Sequence, residues 1–379
     1  MEFAVDGNAY LNIAMSVVKG VVRRDRSYND VYHYNNLFND QPILKTAIAE
    51  HFRKFCFTYL SSLMTPLGNS LGGVHFVMDA GSWRKSYVSD YFTDTDFKSE
   101  SAPSSFVYKE GRKKDEFEYL FFDYFRDEIL PGLVSCGVKF YQCPKAEGDD
   151  LLAYLVETLE GDILLYSVDK DIKQLVNSVN KNILLIMPKQ SSQHKKIFVP
   201  KYYLPGPEDT VDDDDFFSMT DSDMQGGATT IESIIKSYEL KDYVQYQIDP
   251  VFEVLDKIIS GDKSDKIPRL NKLTPAKAKK VLEATMAKFD NILDKVDSFD
   301  TEFLDFVVDK ACEVTKVKEQ DKRDDLRSHL KFNIITTRLS SKVFPSELTE
   351  SIKAVFDETI DVTFDIRLYN AFKNTPHKS

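Results

Sequence analysis

Residues 145–176 read KAEGDDLLAYLVETLEGDILLYSVDKDIKQLV, and this stretch decides the fold class. Three acids, Glu147, Asp149 and Asp150, stand at the start of an apolar run with helical spacing. The run DILLYSVD follows as a buried strand that ends at Asp169. A helix followed directly by a buried strand is the repeating unit of an α/β domain with a mainly parallel sheet.

The same pattern of a strand followed by an acid occurs elsewhere in the chain. Two short apolar strands, Glu2–Asp6 and Val74–Asp79, also end in aspartate. Ligands of open α/β sheets bind outside the carboxyl ends of the strands, so we expect these acids on one edge of the sheet. Further strands are predicted at Lys139–Cys143, Asn182–Met187 and Lys195–Val199. The sequence therefore predicts an α/β fold with a mainly parallel central sheet and helices on both faces.

Helical patterns occupy much of the remaining sequence. A helix is predicted at Pro42–Thr65, and the pattern is helical from Ile231 onward. Helices at Pro250–Ser260 and Thr274–Phe289 enclose a predicted hairpin at Gly261–Leu273, with Thr274 as N-cap. The tail from residue 300 is expected to be mainly helical.

Composition restricts the function classes only in part. The 379 residues are 42% hydrophobic, and no apolar run approaches the roughly 20 residues of a membrane span. The net charge of −12 argues against nucleic-acid binding, but Pro207–Met224 alone carries eight acids and no base. We read the wider segment Pro207–Thr230 as a mobile acidic insertion, so the net charge does not decide the question. The cysteines show no CxxC pair and are expected to be reduced thiols: Cys56, Cys136, Cys143 and Cys312.

The acids form the most informative set in the sequence. A single aspartate at a strand end is most often a helix cap, but many acids on one edge repel one another and favour hard divalent cations. Mg²⁺ prefers oxygen ligands, and no histidine lies in these motifs, which argues against zinc. The candidate metal ligands are Asp6, Asp79, Glu147, Asp149, Asp150, Asp169, Asp171, Asp262 and Asp265.

Five segments, taken in order, resemble one protein family. They are AVDGNAYL at 4–11, FVMDAGSWRK at 76–85, AEGDDLLAYL at 146–155, YSVDKDIKQLV at 166–176 and IISGDKSDKIP at 258–268. These segments are similar to the motifs of the phage ribonuclease H and flap endonuclease family of 5′-nucleases. The resemblance implies a PIN-like 5′-nuclease fold. It also implies Mg²⁺-dependent 5′→3′ exonuclease or flap endonuclease activity on RNA primers or DNA flaps during DNA replication.

The resemblance also implies roles for individual residues. The catalytic acids that hold the first ion would be Asp6, Asp79, Glu147, Asp149 and Asp169. The second ion would be held by Asp171, Asp262 and Asp265, with Asp149 or Asp150 nearby. Two Mg²⁺ ions are implied, with Mn²⁺ as a substitute.

DNA contacts are implied in two places. A basic arch at about 86–116 would clamp the 5′ strand, with Lys109 and Arg112 also contributing to catalysis, and the helix–hairpin–helix would grip the duplex and bind K⁺. The hairpin departs from the family pattern after Pro268, and the arch contains the polar insertion SAPSS at 101–105. The implied contacts are Arg84, Lys85, Tyr108, Lys109, Arg112, Lys113, Lys114, Lys277, Lys279 and Lys280.

The resemblance divides the chain into four parts: a nuclease core at 1–204, the acidic insertion at 205–230, the helix–hairpin–helix region at 231–299 and the C-terminal region at 300–379. It implies nicked or branched DNA and RNA–DNA duplex as substrates, and a single-stranded-DNA-binding protein or sliding clamp as partner. We expect a monomer in the cytoplasm, that of a host cell if a phage encodes it. The alternatives are a catalytically silent DNA-binding replication accessory and a metal-dependent hydrolase of small molecules.

Overall fold

The computed structural model describes residues 1–24, 33–35, 42–44, 46–87, 116–178, 180–188, 194–200, 231–262, 265, 267–270, 273–359 and 362–374. The acidic insertion lies outside these residues. So do the basic side chains predicted for the arch, Tyr108, Lys109, Arg112, Lys113 and Lys114.

A seven-stranded sheet forms the centre of the described chain, in the order β5-β4-β1-β6-β7-β8-β9. Every neighbouring pair is parallel except β7 and β8, which are antiparallel. The prediction of a mainly parallel α/β sheet is therefore confirmed. The strands are β1 Glu2–Asp6, β4 Val74–Met78, β5 Val138–Gln142, β6 Ile163–Tyr166, β7 Ile183–Met187, β8 Lys195–Pro200 and β9 Tyr243–Ile248, while β2 His33–Asn35 and β3 Pro42–Leu44 pair separately.

Side chains of the central strands alternate between two apolar layers, one on each face of the sheet. Phe3 and Val5 of β1 pack into one layer and Ala4 into the other. Leu164 and Leu165 of β6 divide in the same way. The first layer contains α1 Gly7–Arg24, α2 Thr46–Met64, α3 Glu116–Tyr124, α4 Leu130–Ser135 and α6 Ile231–Glu239. The second contains α5 Gly148–Thr158, α7 Pro250–Ser260, α8 Pro275–Lys288, α9 Ile292–Asp297, α10 Thr301–Thr315, α11 Gln320–Thr337 and α12 Ser346–Glu358.

The last helix, α13 Ile366–Asn374, returns to the N-terminal half of the molecule. The Tyr369 hydroxyl is buried and donates to the Phe57 carbonyl of α2 at 2.6 Å. A Cβ placed on Gly132 of α4 would lie 1.8 Å from Phe372, so only glycine admits this ring. The last helix therefore packs against α2 and α4 of the N-terminal half.

Two expectations from the sequence are corrected. The helix predicted from Pro42 begins at Thr46, because Pro42–Leu44 pairs as a strand. The helical reading from Ile231 onward is wrong for Tyr243–Ile248, which pairs with β8 and extends the central sheet. Its YVQYQI sequence is rich in the aromatic and β-branched residues that strands favour. The turn after Asp169 is a 3₁₀ helix, Lys170–Leu175.

The prediction around the hairpin is confirmed at its two helices. The first helix spans Pro250–Ser260 as predicted, and Asp249 caps it by accepting from the Val251 amide at 2.9 Å. The second begins at Pro275 behind the N-cap Thr274. None of the described helices is both long and apolar enough to cross a membrane.

Candidate active site

The carboxyl edge of the sheet carries a buried aspartate at the end of β1. Asp6 accepts hydrogen bonds from the Ala9 amide at 2.9 Å and from the Ser167 hydroxyl, just beyond β6, at 2.7 Å. Burial, against the hydrogen bonds from Ala9 and Ser167 and together with the charges of Asp79 and Asp169, raises the pKa of Asp6 to about 6. Three acids from three neighbouring strands therefore lie within electrostatic reach of one another, as the strand-end pattern predicts.

The start of helix α5 packs directly against two of these acids. Asp79 Oδ1 accepts from the Gly148 amide at 2.6 Å. A Cβ on Gly148 would lie 3.1 Å from Asp79 Oδ1 and 4.0 Å from Asp6 Oδ1, so glycine allows this approach. The helix N-terminus also presents its positive dipole end to the carboxylates. Asp149, in the first turn of α5, is partly exposed.

A buried guanidinium holds the other two acids of that motif. Arg84 Nη1 donates to Asp150 Oδ1 at 2.6 Å and to Glu147 Oε2 at 3.2 Å. Asp150 Oδ2 accepts from the Trp83 indole at 3.2 Å and from the Glu147 amide at 3.1 Å. Burial raises the pKa of Asp150, and Arg84 opposes that rise. We call these three residues, Arg84, Glu147 and Asp150, the arginine cluster.

A second group of acids gathers around a lysine. Lys257 of α7 bonds Asp171, in the turn after Asp169, and also Asp262 Oδ2 at 2.6 Å. Asp169 Oδ1 accepts from the Asp171 amide at 2.9 Å and so caps that turn. Burial, together with the charges of Asp169 and Asp262, raises the pKa of Asp171 to about 7 even though Lys257 opposes the rise. We call Asp171, Lys257 and Asp262 the lysine cluster.

Asp169 links the two ends of the site. Its charge raises the pKa of Asp6 on one side and of Asp171 on the other. An electrostatically coupled row of acids therefore extends along the sheet edge from Asp79 to Asp262. Among the side chains that the structure describes, no three carboxylate, imidazole or thiol groups are already arranged to hold one ion.

The hairpin that carries Asp262 is fixed by its backbone. Asp262 and Ile267 exchange backbone hydrogen bonds at 3.0 and 2.7 Å. Gly261 has φ 72°, and a Cβ there would lie 2.5 Å from the Ile267 carbonyl, so glycine is required. The buried Asn333 of α11 donates to the Ile258 carbonyl at 2.9 Å and the Pro268 carbonyl at 3.1 Å. Asp265 is buried in the same hairpin.

Several residues that support the site escaped the sequence analysis. Lys257 lies one helical turn before the hairpin motif, and its spacing of five residues from Asp262 was the available signal. Ser167 lies within the YSVD motif itself. Asn333 and Arg338 come from the C-terminal region, where no pattern in the sequence marks them.

The predicted DNA contacts fall into different environments. Lys85, Lys279 and Lys280 are exposed and Lys277 is partly exposed, which leaves them open to a phosphate backbone. Arg84 differs, because it is only 1% exposed and its guanidinium bonds buried acids. The expectation that Arg84 contacts DNA is therefore corrected, since a phosphate cannot reach it in this arrangement.

No protein-family model and no curated protein matches this chain. Solved structures of the bacteriophage T5 5′-exonuclease, also described as a flap endonuclease, are similar to it. One, co-crystallised with metal ions, is 15% identical with a TM-score of 0.46 and covers 98% of this chain and 96% of its own. Another, in complex with DNA and metal ions, is 14% identical with a TM-score of 0.45 and covers 94% and 98%. What this chain does has to be inferred from its own residues.

Proposed function

We propose that this protein is a Mg²⁺-dependent 5′-nuclease, a 5′→3′ exonuclease and flap endonuclease of the ribonuclease H type. It would hydrolyse phosphodiesters at the 5′ ends of RNA primers or DNA flaps during DNA replication. The observation that carries the proposal is the row of coupled acids from Asp79 through Asp6, Asp169 and Asp171 to Asp262. The five motif segments add the reaction class.

The chemistry of the donor set fits hard divalent cations. The row offers carboxylate oxygens without histidine or cysteine, as Mg²⁺ and Mn²⁺ prefer. Two of its members, Asp6 and Asp171, have pKa values raised by burial and by neighbouring acids. A cation would offset both the cost of burying these carboxylates and the repulsion between them. When bound, such ions lower the pKa of a water molecule and neutralise charge that develops on a phosphodiester.

Each ion has its own proposed ligands. The first would be held by Asp6, Asp79, Glu147, Asp149 and Asp169, and the second by Asp171, Asp262 and Asp265. Asp150 has a different role in this arrangement, because both its oxygens already accept from Arg84, Trp83 and Glu147. We therefore propose that it orients Glu147.

The residues around the acids orient the site and receive the substrate. Ser167 and the Ala9 amide fix the two oxygens of Asp6, and the Gly148 amide fixes Asp79. Exposed lysines on α8 would hold duplex phosphates, and Lys109 and Arg112 would steer the 5′ strand. K⁺ binding at the hairpin stays a prediction.

A catalytically silent DNA-binding accessory is the second candidate. The observation that favours it is that no three donors in the described part of the chain are arranged for one ion. The carboxylate row argues against this candidate, because a protein that only binds phosphates gains nothing from facing them with acids.

Digestion of 5′-labelled flap, nicked and RNA-primed duplexes in Mg²⁺ tests the proposal. We expect the wild type to release short 5′ products, and Asp169→Asn to lose about a thousandfold in rate while still binding substrate. Asp294→Asn is the matched control, because Asp294 is a highly exposed acid that pairs with Lys342. Binding without cleavage by the wild type would instead identify the silent accessory.

A further inference from the structure

We propose that Arg84 is a positioning residue that fixes the carboxylate of Glu147 for metal binding, and that α11 holds Arg84 in place. This inference rests on the proposed function, since it assigns Glu147 to the first ion. It replaces the expected DNA contact of Arg84 with a role inside the protein.

The geometry of the guanidinium fits this role. One nitrogen, Nη1, bonds both Glu147 Oε2 and Asp150 Oδ1, so the two carboxylates have a shared donor. Asp150 in turn accepts from the Glu147 amide at 3.1 Å. Backbone and side chain of Glu147 are thus held from the same side, and both holders are buried. A metal ligand held by a second carboxylate and a guanidinium has few alternative rotamers.

The surroundings fix the guanidinium itself. It lies 4.7 Å from the centre of the Trp83 ring and 5.9 Å from that of Phe344. Its second nitrogen, Nη2, donates to the Arg338 carbonyl at the end of α11, at 3.4 Å. Stacking and a second hydrogen bond use the planar shape of arginine, which lysine cannot reproduce.

The end of α11 is itself fixed by a buried network. Arg338 makes a two-nitrogen contact to Asp297, at 2.7 and 3.1 Å. Gln174, in the turn after Asp171, donates to the Thr337 carbonyl at 3.0 Å and accepts from the Leu339 amide at 2.8 Å. The C-terminal region therefore contacts the site at two residues. Arg84 precedes Asp169 in the sequence, and Gln174 follows it.

The test compares metal binding by charge-balanced variants. Arg84→Met alone leaves the buried Asp150 without its cationic partner, so we combine it with Asp150→Asn. The double variant loses one charge of each sign, and the asparagine keeps an acceptor for the Glu147 amide. Asp150→Asn alone keeps the guanidinium on Glu147. The matched control is Arg323→Met with Asp309→Asn, which removes an arginine–aspartate pair between α10 and the start of α11, at the protein surface.

Mn²⁺ binding is measured by calorimetry without DNA, on variants whose circular dichroism matches the wild type. We expect the Arg84→Met/Asp150→Asn variant to bind Mn²⁺ about 10 to 100 times more weakly than the wild type. Asp150→Asn removes the charge of one of the two groups that hold Glu147, so it should weaken binding less than the double variant does. The Arg323/Asp309 control should stay within about threefold. Equal weakening by Asp150→Asn and by the double variant would show that Arg84 adds nothing. Equal weakening in the control, or unchanged affinity in the Arg84 double variant, would overturn the positioning role.

Arg84→Lys keeps the inference testable if the double variant does not fold. Lysine keeps the charge but offers one nitrogen, so we expect weaker Mn²⁺ binding and a lower kcat at unchanged KM. Wild-type affinity and kcat in Arg84→Lys would contradict the proposal. Failure of the proposed function is recognised separately, because the wild type itself would then bind no Mn²⁺ or cut no substrate.

Discussion

Two basic residues that the structure describes among the acids, Arg84 and Lys257, differ in burial and in geometry. Arg84 is 1% exposed and bonds an aspartate that is entirely buried. The Lys257 side chain is 14% exposed, and its partners Asp171 and Asp262 are also partly open to solvent. The arginine cluster is therefore part of the interior, whereas the lysine cluster lies at its margin. Only at the margin can a cation from solution take the place of the protein's own positive charge.

The charge balance separates the two clusters further. Burial alone would lower the pKa of Lys257, but Asp171 and Asp262 raise it well above its usual range, so the ammonium stays charged. Its single charge does not offset the repulsion between Asp171, Asp262 and Asp169, and the pKa of Asp171 is raised in spite of it. The lysine cluster thus keeps an excess of negative charge that a divalent ion would satisfy better than an ammonium.

Removing the basic side chain of each cluster should show the difference in burial most strongly. Arg84→Met should lower the free energy of unfolding by about 3 to 5 kcal/mol, because it leaves Asp150 buried without its partner. Lys257→Met should cost less than about 1 kcal/mol, because its partners can take up water. Urea unfolding of both variants without metal ions measures the two values. Similar losses would show that the clusters do not differ as their burial indicates.

The backbone of the lysine cluster should be more firmly held than its ammonium. Asn333→Ala removes two buried donors to the Ile258 and Pro268 carbonyls, and we expect it to cost about 1 to 3 kcal/mol. Urea unfolding again measures the loss, with Asn374→Ala at the end of the last helix as a surface control. A loss no larger than that of the control would contradict a fixed hairpin.

Metal affinity shows whether the Lys257 ammonium competes with a divalent ion for the acids or is needed to arrange them. Lys257→Met removes the charge that competes for Asp171 and Asp262, so we expect divalent ions to bind about ten times more tightly. Lys257→Arg keeps the charge and is the control. Calorimetric titration with Mn²⁺ checks this, and weaker binding in the methionine variant would show that Lys257 organises the acids instead.

A further prediction is a pH dependence of stability without metal ions. The folded Asp171 carboxyl has a pKa of about 7 against an ordinary value of 3.8, so the folded protein binds the extra proton between these values. Asp171 therefore lowers stability as the pH rises from about 4 to about 7 and adds no further change above that. Asp171→Asn abolishes this contribution. The stability of the variant relative to wild type should rise across that window, and a flat difference would contradict the raised pKa.

Local patterns predict the elements that this protein forms. Short apolar runs predict the buried strands. The N-caps Asp249 and Thr274, each followed by a proline, predict the helices on either side of the hairpin. The strand β9 was missed because YVQYQI is short and partly polar, and its place follows from pairing with β8. Pairing between distant segments leaves no local trace in the sequence.

Local sequence places Asp6, Asp79 and Asp169 at the ends of apolar strands, because the order of residues along one strand is a local property. Only the tertiary structure decided how each acid is balanced. Arg84 was expected to face DNA, and the packing of Trp83, Phe344 and Arg338 turned it inward instead. Lys257 meets Asp171 across 86 residues of chain. Burial and long-range ion pairs depend on which surfaces meet, and that is fixed only when the whole chain is packed.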